Sequence, residues 1–386
     1  MRRFYIHKKP VFIVATITVV AFVVIELFLR LALFQCHMPE PNLCKFGVVK
    51  YFFNKTEGAG DLAPNQNGIW AIWPHRPYHV QTNSDGLRNV EELSDDTDFV
   101  ILAVGDSFTF GPYVPNEDTW PAQLERQLEA NLYPDVTTQV MNAGVAGYTI
   151  VDQFHYLNER GIGIKPDLVI IGFFPNDISD MRGLEREYLA RPVKQIYEKP
   201  YQRFVRSFIT DFENKVAILR LAHNIKSSMV QRSVEISQVA SEPDDGNCDP
   251  FMLPSATSDN GDCWESYQYW FTNVVNLLEM HKIPLLYVAI PDYRQMTEIG
   301  YSNYPQKFAF QLSVENNIGF VDALPELQRY LDVDSAYLME FNPSDVTKKL
   351  DQYSGNNHMS TQGYRVLADV IAQYILDNDM YTKMKD

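Results

Sequence analysis

Four short polar blocks in this 386-residue chain each border a run of apolar residues, and together their residue types suit acyl transfer. Gly105-Asp106-Ser107-Phe108-Thr109-Phe110-Gly111 follows Phe99–Val104. Asn142-Ala143-Gly144-Val145-Ala146-Gly147 follows Thr137–Met141, and Pro175-Asn176-Asp177 follows Leu168–Phe174. Asn357-His358-Met359-Ser360-Thr361-Gln362-Gly363 opens the last amphipathic stretch. A serine hydroxyl is a weak nucleophile until a base takes its proton, and the tetrahedral oxyanion it forms needs hydrogen-bond donors. A serine, a glycine amide, an asparagine and a histidine supply that set.

The elements that must position these blocks are legible as apolar runs. Phe99–Val104, Thr137–Met141, Leu168–Phe174, Pro284–Ile290 and the short Gly319–Asp322 read as strands. Between them, Trp120–Leu132, Val151–Arg160, the surroundings of Leu277 and Gly363–Asp377 carry helical spacing. Val-, Ile- and Leu-rich strands separated by helices predict a parallel α/β sheet of five strands covered on both faces. Ligands of such sheets bind beyond the carboxyl ends of the strands, which is where the polar blocks fall. Residues 36–98 are turn-rich and read as a β-containing lead-in that includes Tyr78–Thr82; residues 99–380 read as the catalytic domain. Residues 181–263 read as a helical and loop insertion. Its acidic segment 240–263 ends at Cys263.

Taken in order, the Ser, Gly, Asn and His blocks resemble those of the SGNH (GDSL-type) hydrolases over about residues 78–380. The segment Thr82-Asn83-Ser84-Asp85-Gly86-Leu87-Arg88 is similar to one seen in membrane-anchored members. The resemblance implies a flavodoxin-like three-layer α/β/α fold and a serine esterase working without a cofactor. It makes Ser107 the nucleophile, and Ser107 N–H, Gly144 N–H and the Asn176 side chain the oxyanion donors. His358 becomes the general base, then the acid for the leaving alcohol. Plainer readings stand beside these: Ser107 as a helix N-cap, Gly144 as a tight-turn glycine, Asn176 in an Asx-turn.

The chain departs from the family at the third triad member. Where the family places an Asp two or three residues before its His, this sequence has Asn356 and Gly355, and the nearest upstream carboxylate is Asp351. Asn356, Asp351 or backbone carbonyls are the three ways to orient His358. Two alternatives to the esterase stay open: an O-acyltransferase that would use the same acyl-enzyme to move an acyl group to or from an envelope glycan, and, supported by this departure, a weak or inactive relative acting as a binding or scaffold protein.

The N-terminus reads as an address. Arg2, Arg3, Lys8 and Lys9 form a basic tail over residues 1–10, and residues 11–35 are apolar apart from Glu26, Arg30 and Gln35. Twenty-five helical residues would reach about 37 Å, enough to span a bilayer. The basic flank predicts a cytoplasmic N-terminus and a catalytic domain in the periplasm or outside the cell. The competing reading is a cleaved signal peptide, although no A-x-A-like site follows. Four cysteines suit an oxidising compartment, with Cys36–Cys44 and Cys248–Cys263 as the preferred pairs.

The net charge of −16 would repel phosphate backbones and argues against a nucleic-acid partner. The substrate partner is then an acylated small molecule, glycan or lipid. Eight histidines without metal-ligand spacing predict no metal. Gly161-Ile162-Gly163 lacks the helix-opening glycine of a nucleotide loop. The aromatic run Trp264, Tyr267, Tyr269, Trp270 and Phe271 reads first as packing, and second as a sugar or acyl platform.

Overall fold

The structure, a computed structural model, describes residues 8–28, 53–54, 61–62, 64–70, 78–131, 136–179, 251, 260–297, 302–338 and 357–385. The chain divides into two compact units, residues 1–49 with 195–244, and residues 50–194 with 245–386. In the first, the described element is helix α1, Lys8–Phe28. It begins within the basic tail and takes in much of the expected span, whose residues 29–35 lie outside the described set. Among the described residues no helix is long and apolar enough to cross a membrane.

The second unit is built on five strands: β1 Phe99–Gly105, β2 Thr138–Gly144, β3 Leu168–Phe173, β4 Leu285–Ala289 and β5 Gly319–Asp322. They pair in the order β2-β1-β3-β4-β5, every pair parallel. This is the flavodoxin-like order, whose chain reversal between β1 and β3 opens a crevice at the carboxyl edge. The five apolar runs in the sequence thus became the five strands. β1, β3 and β4 are buried along their whole length because both faces are covered.

Alternate residues serve opposite faces. Phe99, Ile101 and Ala103 join a core with Trp120, Leu124 and Leu128 of α2, Trp120–Asn131, and with Leu367, Ile371 and Ile375 of α3, Thr361–Asp377. On the other face Phe173 and Tyr287 meet Tyr267 and Phe271 of the helix Asn260–Met280. The Tyr267 and Tyr287 hydroxyls hydrogen-bond at 2.8 Å. Packing therefore accounts for Trp264, Tyr267 and Phe271, all buried, while Tyr269 stays exposed.

The lead-in contains a strand pair, Asn67–Trp70 against Tyr78–Gln81, antiparallel. The acidic loop expected to run to Cys263 is shorter than that, because helix has begun by Asn260. Cys263 is buried on that helix and disulfide-bonded. Cys36, Cys44 and Cys248 lie outside the described residues, as do positions 180–250 of the insertion.

Candidate active site

Ser107 opens a four-residue helix, Ser107–Phe110, immediately after β1. Asp106 caps it: its carboxylate accepts from the Phe108 N–H at 2.8 Å. Gly111, at φ +82, ends it and donates back to the Ser107 carbonyl at 2.9 Å. The expectation that Ser107 might be the cap itself is not met, since that place belongs to Asp106.

This short helix lies unusually close to the sheet. Gly105 is in register with Gly144 on one side and Gly172 on the other, so three glycines stand abreast on β2, β1 and β3. A Cβ at Gly144 would sit 2.2 Å from the Phe110 nitrogen, and one at Gly105 2.2 Å from the Thr109 hydroxyl oxygen. At Gly172 it would sit 2.5 Å from the same oxygen. The side-chain-free row is the seat on which the Ser107 helix rests. This is a firmer structural role for Gly144 than a tight turn, and its φ is not positive.

The Gly144 N–H is already in use: it donates to Oδ1 of Asn142 at 3.0 Å. The next amide, Val145 N–H, donates to the Gly105 carbonyl at 3.0 Å. Further along the loop Gly147 is exposed at φ +85, with nothing within 4 Å of where a Cβ would stand. Asn176 begins the turn of helix Asn176–Ser179 after β3, half-buried and at the same carboxyl edge as Ser107. Phe174, two residues earlier, stacks on Phe108 with ring centroids 3.6 Å apart, which ties the Asn176 segment to the Ser107 helix.

His358 arrives from the far end of the chain. It lies on a two-residue strand, His358–Met359, paired antiparallel with Tyr337–Leu338. Met359 is buried in the core, and Ser360 caps α3 by accepting the Gly363 N–H at 3.1 Å. Gly363 lets α3 press against the preceding segment, since a Cβ there would sit 2.2 Å from the Ala336 carbonyl oxygen. These contacts bring His358 Nε2 to 2.9 Å from Ser107 Oγ. The imidazole stands between two rings, stacked on Phe108 at 4.8 Å and meeting Tyr113 edge-on at 5.6 Å. Burial raises the Tyr113 phenol above its ordinary pKa. Asn356 and Asp351 both lie outside the described residues. Among the described residues no cluster of His, Cys, Asp and Glu could hold a metal ion.

The sequence profile of the GDSL-like lipase/acylhydrolase family matches residues 103–366, more than half of the chain, and spans the Ser107, Gly144, Asn176 and His358 blocks. The chain belongs to that family. It is an ester hydrolase. No curated protein matches it. Solved structures similar to it include a G-D-S-L family protein from Desulfitobacterium hafniense DCB-2, at 17% identity, covering 71% of this chain and 98% of that one with a TM-score of 0.36. Another is an acetylxylan esterase from Geobacillus stearothermophilus, at 16% identity, covering 73% of this chain and 96% of that one with a TM-score of 0.39. Likenesses this distant do not bear on the substrate of this GDSL hydrolase.

Proposed function

We propose that this GDSL hydrolase is a serine esterase that works outside the cytoplasm, with Ser107 as nucleophile and His358 as general base. The observation that carries the reading is the 2.9 Å contact between Ser107 Oγ and His358 Nε2, two residues 251 positions apart in the chain. Contact at that length is within reach for direct proton transfer.

In the proposed cycle, His358 Nε2 takes the Ser107 proton as Oγ bonds to the ester carbonyl carbon. The imidazolium then protonates the leaving alcohol as the C–O bond breaks. Water repeats the sequence on the acyl-enzyme and releases the acid. Ser107 N–H and the Asn176 side-chain amide hold the oxyanion. With the Gly144 N–H engaged by Asn142, we assign the remaining donor to Gly147, whose exposed positive-φ amide lies on the same loop. Gly144 then serves chiefly to seat the helix. The sequence signal for this was present: Gly147 ends the same block, and only the register of Gly144 against Gly105 separates the two glycines' roles.

The basic tail and apolar run at the N-terminus, together with the bonded state of Cys263, support an anchored protein with its catalytic unit in an oxidising compartment. Its substrate would be an O-acyl ester on a glycan, lipid or small alcohol. The test is hydrolysis of a short-chain aryl ester by the full-length protein beside Ser107→Ala. Loss of turnover in the variant is expected. Equal rates in the two proteins would remove Ser107 from the mechanism.

A further inference from the structure

Arg88 lies in the lead-in before the sheet, in a segment with no catalytic block, yet it is 2% exposed. Arginine is almost never this buried without a carboxylate partner. Here every acceptor of its guanidinium is a neutral oxygen. Nη1 donates to the carbonyls of Phe110 and Gly111, Nη2 to the Val114 carbonyl at 2.7 Å, and Nε to Oδ1 of Asn116 at 3.3 Å. The plane of the group also lies over the Phe110 ring, 4.4 Å from its centroid. The cost of burying it shows in its acidity: desolvation pulls Arg88 down to about 10.

The positions of those acceptors are informative. Phe110 and Gly111 end the helix that Ser107 begins, so a cation is fixed on its last, buried carbonyls. Val114 follows Tyr113, the residue whose ring edge meets the His358 imidazole. Tyr113 itself is held at φ +67, a left-handed conformation that is strained for a bulky residue. One planar fork thus clamps both the nucleophile helix and the strained loop that shoulders the base. Arg88 is in turn fixed by its own N–H, which donates to the Asn142 carbonyl at 2.8 Å. A tight turn delivers it, with Leu87 N–H donating to Oδ1 of Asn83 at 3.0 Å.

We infer that Arg88 is a positioning residue that sets the Ser107–His358 geometry, acting on the serine through the end of its helix and on the histidine through Tyr113. The inference rests on the Ser107–His358 reading above. A lysine would keep the charge but not the fork, and could not reach both carbonyl groups at once.

The experiment is the rate of covalent labelling by a fluorophosphonate serine probe, with kcat and KM for an aryl ester, on the folded full-length protein well below its Tm. Arg88→Lys should label at least about tenfold more slowly, with kcat falling in step and KM within about threefold. Should Arg88→Lys fail to fold, Tyr113→Gly takes its place. It relieves the left-handed backbone but removes the ring beside His358, so in the folded variant labelling slows because His358 loses its support. A folded Arg88→Lys, or failing that a folded Tyr113→Gly, that labels at the wild-type rate overturns the inference and leaves the esterase reading intact. A wild-type protein whose Ser107 does not label overturns both.

Discussion

The two halves of the candidate site are held in different ways. Ser107 sits on a surface with no room to move: three glycines abreast beneath it, a helix of one turn, and Arg88 across the helix end. His358 hangs from a two-residue strand, between Asn357 in a left-handed conformation and the Ser360 cap. Close packing against backbone fixes Ser107, whereas a few hydrogen bonds and two rings fix His358. Substitutions on the first side should act sharply, through overpacking; those on the second should act gradually, through lost bonds.

After the loss expected of Ser107→Ala, the largest effect on turnover should come from Asn176, the proposed oxyanion donor. Asn176→Ala should lower kcat by about 10²–10³ with little change in KM, the usual cost of one oxyanion donor, in steady-state ester hydrolysis. Gly144→Ala comes next. The new Cβ would meet the Phe110 nitrogen at 2.2 Å, so the helix must shift, and kcat should fall by about 10² although the Gly144 N–H is retained. A wild-type kcat in that variant would show that the row of glycines is not a seat.

On the histidine side, Ser360→Ala removes the cap of α3 and should cost about 1 kcal/mol in denaturant unfolding. Turnover should fall less than about tenfold, because the paired strand still carries His358. If Ser360→Ala harmed kcat more than Gly144→Ala, the contrast between the two halves would be reversed.

The smallest effect lies below the nucleophile side and separates stability from catalysis. Glu125 on α2 accepts the Val140 N–H of β2 at 2.7 Å, and burial pushes its carboxyl up to about 7. An acid with a raised folded pKa binds a proton in the folded state that the unfolded state has released. Its stabilisation is therefore complete below the ordinary glutamate range and is lost as pH rises through about 7. Unfolding measured across this range should show stability declining with pH in the wild type. Glu125→Gln should flatten the slope with kcat unchanged.

Much of this was legible in sequence because the strands are continuous apolar runs, each followed by its polar block. Phe99–Val104 announced β1, and Ser107 stands where a ligand-binding edge requires it. What could not be read depends on register between strands. Gly144 looked like an oxyanion donor along the chain; only its alignment with Gly105 and Gly172 reveals the close approach of the nucleophile helix. Arg88 was noted only as the end of the Thr82–Arg88 segment and given no role, because an arginine is by default a surface residue. Its inward direction shows only in three dimensions, in its burial and its bonds to the Phe110, Gly111 and Val114 carbonyls. The partner that orients His358 stayed open because Asn356 and Asp351 lie outside the described residues.

The separation of 251 positions between Ser107 and His358 also sets an order of events in time. The glycine seat needs only β1, β2 and β3, all complete by Phe173. At about 5–20 residues per second, a ribosome needs on the order of 10–50 s to pass from the serine codon to the histidine codon. Throughout that interval the nascent chain can carry a finished seat and a chemically quiet hydroxyl. In the proposed mechanism the hydroxyl gains its base only when His358 docks beside it, so a prematurely terminated product should be inert toward esters.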